Sequence, residues 1–245
     1  MSENDAKHER MGLYYLRDSL VLAKVSEEKF FRLCECGPNN ERSIHFYEQE
    51  QACARTSILM SFMYLESLTN YICNYMEIKS NNNTLEDKIK KMCEKTKSDD
   101  FDDNFRKFIV ALRIYRNNLV HDSALPIGMN SWFKEKSPKN ETNDTYPNDL
   151  KCELPEERNK IKSKHAICVI REINGLLNNL IPRFGLSPEE VSTIIFSDTK
   201  EVNFNVDDNS KMTSEIMFPL FSHELHDWTK EQGIFINYVR CFRVN

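Results

Sequence analysis

The chain has 245 residues, 40% hydrophobic and 29% charged, and a net charge of −5 at pH 7. That length suits one ordinary core, or one core with a small appended unit, and the composition excludes a mainly disordered chain. The acidic balance excludes the broad basic face of a general nucleic-acid binder, so any contact with a polyanion has to be local.

Met11 to Leu33 carries Leu13, Leu16, Leu20, Val21 and Phe30 at near-helical spacing and stops at Gly37-Pro38, which predicts a first helix. Between Pro38 and Pro126 there is neither glycine nor proline over 87 residues, a gap that excludes tight β-turns and predicts helix throughout. Glu48 to about Ile78 reads as a second long helix. Thr84-Leu85-Glu86-Asp87, after the Asn81-Asn82-Asn83 turn, starts a third that runs through Cys93 toward Lys97, and Asp99-Asp100 mark a break. Phe101, Phe105, Phe108, Ile109, Leu112, Tyr115 and Leu119 then recur at three- and four-residue intervals, the buried stripe of a fourth helix. Leu119 and Val120 are expected to face the core at its end.

Ser123 to Arg158 contains four prolines and a long polar stretch, and predicts a long loop that either covers a site near His121 or is a passive insertion. Helix is predicted again from about Pro155 to Leu180, ended by Pro182. Ser187-Pro188-Glu189-Glu190 is a capping box with proline at the first helical position, opening a short helix through Ile195. Val202, Phe204 and Val206 alternate, as do Ile234, Ile236, Tyr238, Phe242 and Val244, which suggests a small two-stranded element with Ser214 to Glu231 helical between them. The chain is therefore expected to be all-α: a helical bundle over 1–182 with the 123–158 insertion, and an appended, mixed C-terminal unit over 183–245.

No apolar run approaches the ~20 residues of a membrane span, and the first ten residues hold no apolar segment that could serve secretion. A cytoplasmic protein with no membrane contact is expected. The eight cysteines are scattered, several on apolar helical faces, as reduced thiols are in an intracellular protein. Cys34-Glu35-Cys36 with His45 lacks the usual two-residue gap and the second ligand pair of a zinc site, and His223-Glu224-Leu225-His226 is one residue short of the helical zinc-protease spacing. With no glycine-rich phosphate loop either, neither a metal nor a cofactor is expected. The lysines at 88, 90, 91, 95 and 97, and Arg158, Lys160, Lys162 and Lys164, are interleaved with acids. They read first as solvated helix faces and second as an RNA path.

The fourth helix closes on Arg116-Asn117-Asn118-Leu119-Val120-His121. On an ideal helix Arg113, Asn117 and His121 form a single stripe, with Arg116 about 100° from Asn117 and long enough to reach across. The second helix contains Ser61-Phe62-Met63-Tyr64-Leu65-Glu66, with Asn70 four residues beyond the glutamate. A helix of that pattern, followed some 45 residues later by Tyr115-Arg116-Asn117 and His121-Asp122, resembles the HEPN superfamily, α-helical domains many of which are metal-independent endoribonucleases. The resemblance covers roughly residues 10 to 182. It implies Arg116, Asn117 and His121 as catalytic residues, with Glu66 supporting Arg116 or Arg113. It also implies a symmetric homodimer in which two motifs face each other.

RNA cleavage of this kind needs a group to take the 2′-hydroxyl proton, a group to protonate the leaving 5′-oxygen, and a cation for the growing phosphate charge. His121 suits the proton steps because imidazole titrates near neutral pH, and Arg116 suits the charge because its forked guanidinium holds two phosphate oxygens at once. Asn117 does not titrate, so it would orient the phosphate or His121. The expected protein is a toxin or antiviral effector acting on RNA, tRNA among the candidates, with an antitoxin or other regulatory partner. The alternative is a catalytically silent HEPN interaction module that binds a partner protein or nucleotide.

Overall fold

Two long helices pair first. In the computed structural model α1 is Met11–Cys36 and α2 is Glu41–Tyr75. The structure describes residues 11–37, 40–79, 83–98, 103–121, 154, 160–196 and 221–241; at positions 11, 103, 104, 118, 121 and 196 it describes the backbone alone. Leu13, Leu16, Leu20 and Ala23 are buried at three- and four-residue spacing on α1, against Ala54, Ile58, Leu65 and Leu68 of α2. Val21, expected on the same stripe, is exposed. Ser57 donates to the Ser19 carbonyl at 2.7 Å and Ser26 to the Glu50 carbonyl at 2.7 Å, so positions rise on one helix as they fall on the other and the pair is antiparallel. At the far end Gly12 lies against Tyr71, where a Cβ would come within 3.1 Å of the ring.

Helix α2 starts seven residues before the expected Glu48. Gly37 turns the chain at φ +73°, and the Asn40 side chain accepts from the Arg42 amide at 3.0 Å, so the cap sits immediately after the turn. Helix α3 (Leu85–Thr96) begins with a capping box between Thr84 and Asp87 and ends at Lys97 in the left-handed region. The hydrogen bonds from Thr84 hold the Asp87 carboxyl below its usual range. Helix α4 (Asp103–His121) lays Ile109, Leu112 and Tyr115 onto α2, with Phe105, Phe108 and Leu119 partly buried beside them.

Helix α5 (Ser163–Arg183) starts eight residues after the expected Pro155. Its first amide is met by a side chain from elsewhere: the buried Glu50 carboxylate of α2 accepts from both the amide and the hydroxyl of Ser163 at 3.3 Å. At the other end Pro182 lies inside the last turn instead of ending the helix. A proline there removes only one bond from a ladder that stops a residue later, and Gly185 at φ +73° completes the exit. The Ser187 capping box opens α6 (Pro188–Phe196) as expected.

The C-terminal described segment contains α7 (His223–Glu231), capped by Ser222, and a stretch from Ile234 to Cys241. Its alternation is real, with Ile234, Ile236 and Tyr238 buried and Phe235 exposed, yet no strand forms among the described residues. The backbone is satisfied by helix side chains instead of a partner strand: Asn178 donates to the Phe235 carbonyl and accepts from the Asn237 amide, and Ser192 accepts from the Arg240 amide. The other expected strand, Val202 to Val206, lies outside the described residues, as does 123–153. Phe221, Leu225, Trp228, Ile234 and Tyr238 belong to the same hydrophobic cluster as the α1, α2 and α5 side chains. The described part of 183–245 therefore shares the bundle's core. No helix among the described residues is long and apolar enough to cross a membrane.

Candidate active site on helix α4

Arg116 sits on the flank of the α4 stripe, next to residues that pack on α2, and its guanidinium is placed from two helices. Nη1 donates to Asn117 Oδ1 at 2.9 Å, Nη2 lies 3.9 Å from Met63 Sδ, and the guanidinium carbon is 5.5 Å from the centre of the Phe62 ring. All three partners are neutral. Among the described residues no carboxylate pairs with Arg116, so its charge is held by an amide, a thioether and an aromatic face. Its Nε is buried without an acceptor, so the Nη groups are the end available to a ligand.

Asn117 bridges the 100° between Arg116 and the Arg113 stripe, as the side-chain lengths predict. Its oxygen faces Arg116, which leaves the amide NH₂ as a donor on the other side. His121 ends α4 five residues after Arg116, about 7.5 Å along the axis; its side chain lies outside the described residues. Leu119 packs against the core as expected, but Val120 is 51% exposed. The next residue along a helix is rotated by 100°, which carries Val120 off the stripe that holds Leu112 and Leu119.

Arg113 is anchored differently from the expectation. Glu66 is half-buried on α2 and forms no ion pair among the described residues. The carboxylate on Arg113 comes from Glu86 in the first turn of α3, 3.2 Å from Nη2. Phe62, Met63 and Glu86 are thus the site residues that sequence reasoning left without a role. Phe62 and Met63 stood inside the helix pattern that carried the resemblance, whereas Glu86 was legible only as a helix-start acid.

Asn70, the last residue of that pattern, accepts from Lys88 at 2.7 Å and ties α2 to α3. Lys91 donates to the Lys79 carbonyl and Lys95 to the Met76 carbonyl, so these three lysines fasten α3 to the end of α2 and to the segment that follows it. Arg158 of the second basic run lies outside the described residues. Glu224, between the two histidines of α7, is paired with Lys24. Among the described residues, no three His, Cys, Asp or Glu side chains gather to hold a metal ion, and the seven described cysteines form no disulfide. No family model matches the chain, and neither does any curated protein or solved structure.

Proposed function

We propose that this protein is a metal-independent endoribonuclease of the HEPN type, with Arg116, Asn117 and His121 as its catalytic residues. The observation that carries the reading is Arg116 itself. A half-buried guanidinium that meets an amide, a thioether and a ring, and no acid among the described residues, is a cation set up for an anion brought from outside.

In the proposed reaction the 2′-oxygen attacks the adjacent phosphorus while its proton passes to a base, and the P–O5′ bond breaks as the 5′-oxygen receives a proton. The products are a 2′,3′-cyclic phosphate and a 5′-hydroxyl. Arg116 neutralises the additional charge on the non-bridging oxygens, and the Asn117 NH₂ orients the phosphate or the imidazole. His121 carries the proton. In an in-line displacement the 2′-oxygen and the leaving 5′-oxygen lie on opposite sides of the phosphorus, where one imidazole does not easily serve both, so the reading includes a symmetric homodimer that supplies two motifs to one site. A toxin or antiviral effector that degrades RNA in the cytoplasm, restrained by a partner, is the role that fits such chemistry.

The test is to incubate wild type, Arg116→Ala and His121→Ala with total RNA and with tRNA in EDTA and sequence the cut ends. Cleavage by wild type alone, leaving cyclic-phosphate ends, is expected. Three proteins that behave alike would overturn the assignment and leave the motif as a helix end in a binding module.

A further inference from the structure

Arg113 and Arg116 stand three positions apart on α4, a rise of about 4.5 Å along the backbone, and the structure treats them differently. Among the described residues Arg116 has only neutral partners, whereas Arg113 is paired with Glu86. Glu86 is no ordinary surface acid. Its side chain is 7% exposed, against 39% for Arg113, and it stands in the first turn of α3, where the unpaired amides of the helix N-terminus favour negative charge.

The pair also holds a contact in reserve. Glu86 Oε1 meets Arg113 Nη2, while Glu86 Oε2 and Arg113 Nε are both buried without a partner among the described residues. Nε and Nη2 form one edge of the guanidinium plane, the edge that grips both oxygens of a carboxylate in a bidentate pair. The two orphaned atoms are complementary, one a donor and the other an acceptor. A phosphate approaching Arg113 must therefore displace an acid that is buried and already in contact with the guanidinium.

We infer that Glu86 is an internal counter-ion that withholds Arg113 from the RNA backbone, so that the α4 motif offers Arg116 to a phosphate and keeps its neighbour neutralised. Glu86 is thereby a specificity-determining residue. It limits how strongly the site grips any polyanion and leaves discrimination to the position of one guanidinium. This inference rests on the ribonuclease reading.

The test is the salt dependence of binding to a single-stranded 2′-O-methyl RNA oligonucleotide, which lacks the attacking hydroxyl and stays intact. Each phosphate contact on a single strand contributes about 0.7 to the slope of log K against log[KCl]. Glu86→Gln should steepen the slope by about 0.7 and tighten binding at low salt, because Arg113 is released. Arg116→Ala should reduce the slope by about the same amount. Removing both charges, Glu86→Gln with Arg113→Gln, should restore the wild-type slope. A folded Glu86→Gln protein with an unchanged slope would overturn the inference, since a purely structural ion pair leaves that quantity alone. Should Glu86→Gln fail to fold, the paired variant decides the matter. A slope about 0.7 lower than wild type means that Arg113 already holds a phosphate, and the inference falls. If wild type neither binds the oligonucleotide nor cleaves RNA, the ribonuclease reading fails and takes this inference with it. Cleavage by wild type with the wrong slopes removes only the role of Glu86.

Discussion

Phe62 is the residue whose contribution to the proposed site is easiest to separate from its contribution to the fold. It is buried, and its ring lies under the Arg116 guanidinium. Phe62→Leu keeps most of the apolar volume and removes the ring's negative face, a loss of about 0.5–2 kcal/mol in cation–π energy. Cleavage should fall by roughly twofold to thirtyfold in kcat/KM with a nearly unchanged melting temperature. Full activity in a folded Phe62→Leu protein would mean that the ring is packing alone. His165 provides a test independent of function. Burial, with Lys164 and Lys162 nearby, lowers its pKa to about 4 from 6.5, and its Nδ1 accepts from the Lys162 amide. Because the folded pKa is depressed, the neutral ring's contribution is complete above pH 6.5 and is lost as pH falls toward 4. His165→Gln should flatten that part of the stability–pH curve in urea titrations; an identical curve for the variant would rule the imidazole out.

At the scale of elements, what sequence reading recovered and what it missed divide by the range of the interaction. Thr84 with Asp87 and Ser187 with Glu190 are caps made within four residues, and both helices start where those residues predict. The α4 stripe through Phe108, Leu112 and Tyr115 is equally local, and it placed Arg116 and Asn117 correctly relative to one another. The start of α5 is not local, because its cap is Glu50, 113 residues earlier, and no spacing rule reaches that far. The carboxylate beside Arg113 is non-local for the same reason: Glu66, expected to support Arg116 or Arg113, and Glu86 are both acids on neighbouring helices, and only packing shows that Glu86 meets Arg113. The Ile234 to Tyr238 alternation reported burial truthfully but left open what the backbone bonds to. Glu50 makes the distant cap testable. Glu50→Gln keeps an acceptor for the Ser163 amide, whereas Glu50→Leu orphans that donor and should cost about 1–3 kcal/mol more in urea unfolding. Equal stability of the two variants would show that α5 needs no cap from α2.

For the whole molecule, the C-terminal segment closes the core instead of decorating it. The Trp228 indole donates to Glu27 of α1 at 2.8 Å, and the Tyr238 hydroxyl donates to Asn174 of α5 at 2.7 Å. Burial pushes the Tyr238 phenol well above its ordinary value, so it stays a neutral donor. A chain ending at residue 220 would expose the apolar faces of α1 and α5 that Trp228, Ile234 and Tyr238 cover. It should lose cooperative unfolding and bind a hydrophobic dye. A sharp thermal transition in the truncated protein would instead make the segment dispensable.

Helix α2 also acts as a ruler. The chain leaves it where Phe62 and Met63 hold α4 and returns to it where Glu50 receives α5, twelve positions or about 18 Å apart along one rigid axis. The described residues on either side of 122–153 are tied to the bundle, His121 through α4 and Leu154 by packing against the core. Loop closure then depends only weakly on length. Glycine–serine replacements of residues 123–153 at half and at twice their number should each differ from an equal-length replacement by about 0.6 kcal/mol. The guanidinium of Arg116 stays where α2 and α4 put it at every such length.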